Sequence, residues 1–125
     1  MRLLHTSITV KDMDTSIRFY TENLGLRLVK RLEIPENNAE IAFLEDGETS
    51  NQIELTFWRN KREYTEGDQL DHIGLQVNDL DRVVKELRRK GVTVKKEPFS
   101  FNNGESRIAF ITDPNDIWIE LIQRR

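Results

Sequence analysis

His5-Thr6-Ser7-Ile8-Thr9-Val10-Lys11-Asp12-Met13-Asp14 can be laid over His72-Ile73-Gly74-Leu75-Gln76-Val77-Asn78-Asp79-Leu80-Asp81 at an offset of 67 residues (72 − 5). Each stretch alternates apolar residues with polar or small ones and then meets an acidic residue ahead of a helical pattern, the signature of a strand feeding a capped helix. The match continues outward. Ile41-Ala42-Phe43 lies over Ile108-Ala109-Phe110 at the same offset, while Gly25 matches Gly91, and Ile53-Glu54-Leu55 matches Ile119-Glu120-Leu121, at 66. One unit is written twice, and repetition of this kind dictates the architecture before any single element does.

Read through once, the unit is a strand (about 3–10 and 70–77) and a helix (Asp12 to Asn23, Asn78 to Lys90). Asp or Asn stands at the first turn of each helix, and a Gly closes it. Three strands follow, about 26–34, 39–45 and 52–58 in the first half and 92–97, 106–112 and 117–123 in the second. Clusters of Pro, Gly, Asn and Asp separate them. The fold class is therefore α+β, two tandem βαβββ modules. The modules span about 1–58 and 70–125 of one domain, joined by a charged linker at about 59–69. Phe19, Tyr20, Leu24 and Leu26, with Val83, Val84 and Leu87, have the spacing of core residues.

The chain of 125 residues is long enough for one core, and its 37% apolar and 33% charged residues suit a folded protein. A net charge of −3 disfavours nucleic acid and anionic membranes as partners. The basic run Lys85, Arg88, Arg89 and Lys90, with Lys95 and Lys96, reads as a solvated face. With no Cys, a metal must be held by nitrogen and oxygen. The N-terminus has no signal-peptide pattern and no apolar run could span a bilayer, so the expected location is the cytoplasm.

Alternation along the strands sets His5, Ser7 and Thr9 opposite Leu4, Thr6, Ile8 and Val10, and His72, Gly74 and Gln76 opposite Ile73, Leu75 and Val77. It sets Glu54 and Thr56 opposite Ile53, Leu55 and Phe57, and Glu120 opposite Ile119 and Leu121. Both histidines of the chain and two glutamates thus occupy equivalent positions of the repeat. A carboxylate inside an apolar strand is costly to bury unless it is paired or binds a metal. Pairing with His is the simpler solution. Should the sheets share a cleft, His5, Glu54, His72 and Glu120 form an N2O2 set that suits Ni, Co, Zn or Mn.

The duplicated module and this quartet resemble the vicinal oxygen chelate superfamily, and within it the glyoxalase I (lactoylglutathione lyase) family of the short bacterial type. The resemblance spans nearly the whole chain. It rests on Leu3-Leu4-His5-Thr6, Phe19-Tyr20-Thr21, Leu24-Gly25-Leu26, Ile53-Glu54-Leu55-Thr56, Asp71-His72-Ile73-Gly74 and Ile108-Ala109-Phe110 through Asp113-Pro114 to Trp118-Ile119-Glu120-Leu121. It implies mixed sheets curled around a metal-binding cleft and, within it, a divalent ion, with Ni or Co favoured and Zn or Mn possible, held by His5, Glu54, His72 and Glu120. It implies a homodimer whose sites take His5 and Glu54 from one subunit and His72 and Glu120 from the other. The implied reaction isomerises the hemithioacetal of methylglyoxal and glutathione, or another thiol, with Glu120 as principal base and Glu54 as ligand and second proton partner.

The sequence departs from the family where the thiol is gripped. Thr9 stands where relatives carry Arg and Trp58 where they carry Asn, although Asn60 is near, and the family's Asp-Pro-Asp-Gly turn is Asp113-Pro114-Asn115-Asp116. Arg59, Lys61, Arg62 and Arg107 are candidate replacements for anion recognition. The loop from Phe99 to Gly104 is a candidate lid, and Trp58 and Trp118, at matched strand ends, are candidates for the cleft or the dimer interface. Two rival readings remain: another metalloenzyme of the superfamily, an epimerase or a thiol transferase, and a metal-free binding protein of the bleomycin-resistance type.

Overall fold

The computed structural model describes residues 2–61, 63–65, 67 and 69–125. The chain divides into two compact units, Met1–Glu66 and Gly67–Arg125, and the boundary falls within the charged stretch expected to link the repeats. The first unit runs β1 (His5–Thr9), α1 (Met13–Arg18), β2 (Arg27–Ile34), β3 (Ala39–Glu45) and β4 (Gln52–Trp58). The second runs β5 (Ile73–Gln76), α2 (Leu80–Arg89), β6 (Val94–Phe101), β7 (Ser106–Thr112) and β8 (Trp118–Arg124). Each is βαβββ with a four-stranded mixed sheet, in the orders β1-β4-β3-β2 and β5-β8-β7-β6.

The helices begin where their caps dictate. Asp12 has extended backbone and its carboxylate accepts from the Thr15 amide at 2.8 Å, while Asp79 accepts from the Arg82 amide at 3.1 Å. The second cap is thus Asp79 and not Asn78, because the carboxylate must stand three residues before the amide it satisfies. Helix α1 continues through one wide π turn over Phe19–Asn23, and Gly25 and Gly91 leave the helices with φ of 75° and 84°, a region that favours glycine.

One face of each sheet takes its helix. In the first unit Ile8, Val10, Met13, Tyr20, Leu44 and Leu55 are buried, and in the second Leu80, Val84, Leu87, Ile111, Ile119 and Leu121. Each large side chain so enclosed contributes roughly 1.5–3 kcal/mol. Phe19 is also buried, whereas Leu24, Leu26 and Val83 are only half-buried.

Three local departures bear on the site. Strand β6 reaches Phe101, so the expected loop shrinks to a single tight turn at Asn102–Gly104. In that turn Asn102, Asn103 and Gly104 all take positive φ, which Asn tolerates better than most residues. Strand β5 begins at Ile73, which leaves His72 one residue ahead of it. Trp58 ends β4 but Trp118 begins β8, so the two tryptophans sit at opposite ends of equivalent strands. Among the described residues no helix is long and apolar enough to cross a membrane.

Candidate metal centre

Parallel pairing of the first and last strand of each module builds a pair of donors. In the first module Ser7 lies opposite Glu54 across β1 and β4. His5, two residues back along the same face, places Nε2 3.4 Å from Glu54 Oε2. In the second, Gly74 lies opposite Glu120 across β5 and β8, and His72 Nε2 is 3.2 Å from Glu120 Oε2. Burial is matched as well: the two His side chains are 36% and 33% exposed and the two Glu side chains 16% and 15%. The repeat in the sequence has become the same half-site built twice.

An aromatic edge braces each imidazole. Phe43 meets the His5 ring at 5.3 Å and 72°, and Phe110 meets the His72 ring at 5.6 Å and 77°. Both phenylalanines sit opposite the glutamate of their half-site in the next ladder. Reading the sequence for polar residues passed them over, although the 67-residue offset had already matched Phe43 with Phe110. Trp118 packs against Phe110 at 5.6 Å, and Lys96 Nζ lies over both rings at 5.5 and 5.9 Å. Trp118 thus stands beside the second half-site.

The partners of the donors differ. Asp71 Oδ1 lies 2.7 Å from His72 Nδ1. A proton held there makes Nε2 the lone-pair nitrogen, the usual arrangement behind a metal-binding imidazole. Glu54 Oε1 accepts from Ser7 Oγ at 2.9 Å and from Thr56 Oγ1 at 3.1 Å.

Both pairs fit a divalent ion. Neighbouring ligands at about 2.1 Å from a six-coordinate ion lie about 3.0 Å apart, close to the 3.4 and 3.2 Å found between nitrogen and oxygen. The donors are borderline nitrogen and hard oxygen, a set that Ni, Co, Zn and Mn accept. Among the described residues no group of three or more His, Cys, Asp or Glu side chains comes together. Each half-site therefore supplies two donors.

Glu120 opens into a cavity of about 770 Å³ lined also by Phe101, Asn103, Ser106, Ile122 and Arg124. The expected anion binders fare unevenly. Arg107 makes a two-pronged pair with Asp81 of α2 at 2.5 and 3.0 Å, which holds the Asp81 carboxyl below its ordinary range and raises the guanidinium. Arg59 is paired with Glu33. Lys61 lines one cavity with Lys11 and Tyr64 and another with Trp58 and Asn60. Arg62 lies outside the described residues. Within the basic run, Arg88 is paired with Glu97.

Fold and half-sites together define a class: residues 2–121 match the model of the Glyoxalase/Bleomycin resistance protein/Dioxygenase superfamily, and the chain belongs to that superfamily. Within it, the chain is 38% identical to a lactoylglutathione lyase of Haemophilus influenzae over 100% of its own length and 94% of the relative. It is 38% identical to a probable lactoylglutathione lyase of Synechocystis over 98% and 95%. Among solved structures, the trypanothione-dependent glyoxalase I of Leishmania major superposes with a TM-score of 0.83 at 31% identity, covering 98% of this chain and 86% of that one.

Proposed function

We propose that this chain is a metal-dependent isomerase of the hemithioacetals that 2-oxoaldehydes such as methylglyoxal form with glutathione or another low-molecular-weight thiol. The observation that carries the reading is the pair of His/Glu half-sites at ligand spacing, one in each module. Two donors leave an ion short of a full shell. In the proposed homodimer, His5 and Glu54 of one subunit and His72 and Glu120 of the partner subunit surround one ion, Ni or Co by preference and Zn or Mn in reserve. Leu3, Leu4, Leu70 and Phe101, large apolar side chains left exposed on the single chain, support such an assembly.

When bound, the ion acts as a Lewis acid toward the substrate oxygens and stabilises the oxyanion that forms between the two proton transfers. The chain's own groups move the proton. Glu120 removes hydrogen from the carbon bearing sulfur, and the electron pair shifts to give an enediolate. The proton then returns to the neighbouring carbon, while the proton of the first hydroxyl passes to the oxygen of the former ketone. A hemithioacetal becomes an S-lactoylthiol with nothing gained or lost. Glu54 stays as a ligand and assists the second transfer. Phe101 and Ile122 give the cavity beside Glu120 an apolar wall. The reaction needs a reduced thiol pool, which supports a cytoplasmic location.

The test is turnover of methylglyoxal plus glutathione by metal-stripped protein reloaded separately with Ni, Co, Zn and Mn. Robust turnover with at least one ion is expected. Tight metal binding without turnover would overturn the substrate, and failure to bind any of the four would overturn the metal centre.

A further inference from the structure

Glu54 and Glu120 occupy equivalent register positions, but the residues around them are not equivalent. Facing Glu54 across the parallel ladder is Ser7, and the matching residue facing Glu120 is Gly74. Two residues beyond Glu54 on the same face is Thr56, and two beyond Glu120 is Ile122. Every hydroxyl around the first carboxylate is thus missing around the second.

The hydroxyls form a closed group. Ser7 Oγ and Thr56 Oγ1 each lie within hydrogen-bond distance of Glu54 Oε1, at 2.9 and 3.1 Å, and are 2.9 Å from each other. Two hydroxyls carry two protons and the three contacts ask for three, so one contact is always unmade. In every arrangement at least one proton points at Oε1. That oxygen is committed, and Oε2 is left facing His5 Nε2. Thr56 is only 6% exposed, so water competes weakly for its end of the group. Glu120 is paired with His72, and a Cβ built on Gly74 would lie 3.7 Å from Glu120 Oε2 and 3.7 Å from Ile122 Cδ1. A small side chain would fit there, yet none is present.

We propose that Ser7, backed by Thr56, is a positioning residue that fixes Glu54 as the permanent ligand, and that Gly74 with Ile122 leaves Glu120 free to swing between holding the ion and taking the substrate proton. The proposal rests on the metal-isomerase reading and deepens it: one repeated half-site is divided into a static and a mobile carboxylate by a Ser/Gly and a Thr/Ile difference. A carboxylate that must leave the ion at each turnover is best left unanchored, whereas one that must retain it gains from orienting hydrogen bonds.

The experiment exchanges the device between modules in the full-length protein. Ser7→Ala, Ser7→Thr, Gly74→Ser and Gly74→Ala are compared with the parent for Co dissociation constant, Co visible spectrum, kcat and KM, with thermal melts of the metal-free proteins as a check on folding. Ser7→Ala should bind Co about 10- to 100-fold more weakly, with an altered spectrum, and Ser7→Thr should restore both. Gly74→Ser should lower kcat about tenfold or more without weakening Co binding, because its new hydroxyl holds the base. Gly74→Ala, which adds the Cβ alone, should lose less. Parental Co affinity and spectrum in Ser7→Ala would overturn the Glu54 half of the proposal, and parental kcat in Gly74→Ser the Glu120 half. Should the Co affinities shift as stated while no hemithioacetal is turned over, the substrate reading fails and the anchoring of Glu54 stands.

Discussion

Glu120→Gln separates a base from a ligand with little disturbance to the fold. The substitution keeps side-chain length and shape, and its surroundings tolerate an amide: Gly74 and Ile122 offer no polar group to offend, and His72 Nε2, its Nδ1 facing Asp71, accepts from an amide nitrogen where it now lies 3.2 Å from a carboxylate oxygen. Stability should therefore change by no more than about 0.5 kcal/mol. Catalysis should not survive so well, because an amide oxygen is no base at neutral pH. A positioned general base is worth roughly 10²- to 10⁴-fold, or about 2.7–5.4 kcal/mol of barrier. The assay is thioester formation followed by ultraviolet absorbance, with metal content measured on the same samples. The expected result is a kcat reduced by at least about a hundredfold in protein that still carries metal and melts like the parent. A metal-loaded variant within about tenfold of the parent would refute the assignment of Glu120 as principal base.

Three further outcomes can be checked. His5→Ala and His72→Ala, each inactive alone, should regain activity when unfolded and refolded together, since a mixed dimer holds one site with both imidazoles intact; no recovery would sink the shared site. Asp12, whose carboxyl the Thr15 amide holds below the usual 3.8, contributes stability that is full above about pH 4 and is lost as pH falls through its lowered value. Asp12→Ala should cost about 0.5–2 kcal/mol in urea unfolding at pH 7 and progressively less in acid, and a cost independent of pH would contradict the charged cap. Arg107→Gln should leave KM for the thiol substrate within about twofold, because the Asp81 pair engages that guanidinium on α2; a tenfold rise would return Arg107 to the anion-binding group.

Much of this was legible because the chain repeats. A 67-residue offset that aligned His5 with His72 and Phe43 with Phe110 carried the order of elements with it, and alternation then assigned the polar faces, whereas sheet order and register come from the structure. Asp79, and not Asn78, caps the second helix because both residues have capping side chains and only the backbone conformation chooses between them. The length of β6 was hidden by Pro98, a residue that stops most strands but is tolerated here where the pairing with β7 shifts between Lys96 and Phe99. Arg107 pointed toward anion binding until its register on β7 brought it to Asp81, a long-range pair that no local pattern announces. Ser7 and Thr56 were visible as polar-face residues, but their joint hold on one oxygen depends on the stagger of β1 against β4, which a sequence does not print.

Strand β1 lies at the edge of its sheet, paired on one side only, and Leu3, Leu4 and Thr6 around its start are exposed. Edge segments with so little buried side chain open locally at far smaller free energy than a whole domain unfolds. His5 rides on that strand and Glu54 on its inner neighbour, so fraying of its first three residues, all exposed, would part the half-site while the core of Ile8, Leu44 and Leu55 stays shut. An ion bound there, as proposed above, would work as a rivet at the sheet margin. Its removal should appear first as faster amide hydrogen exchange in β1, with the protection of β3 and β4 core amides unchanged.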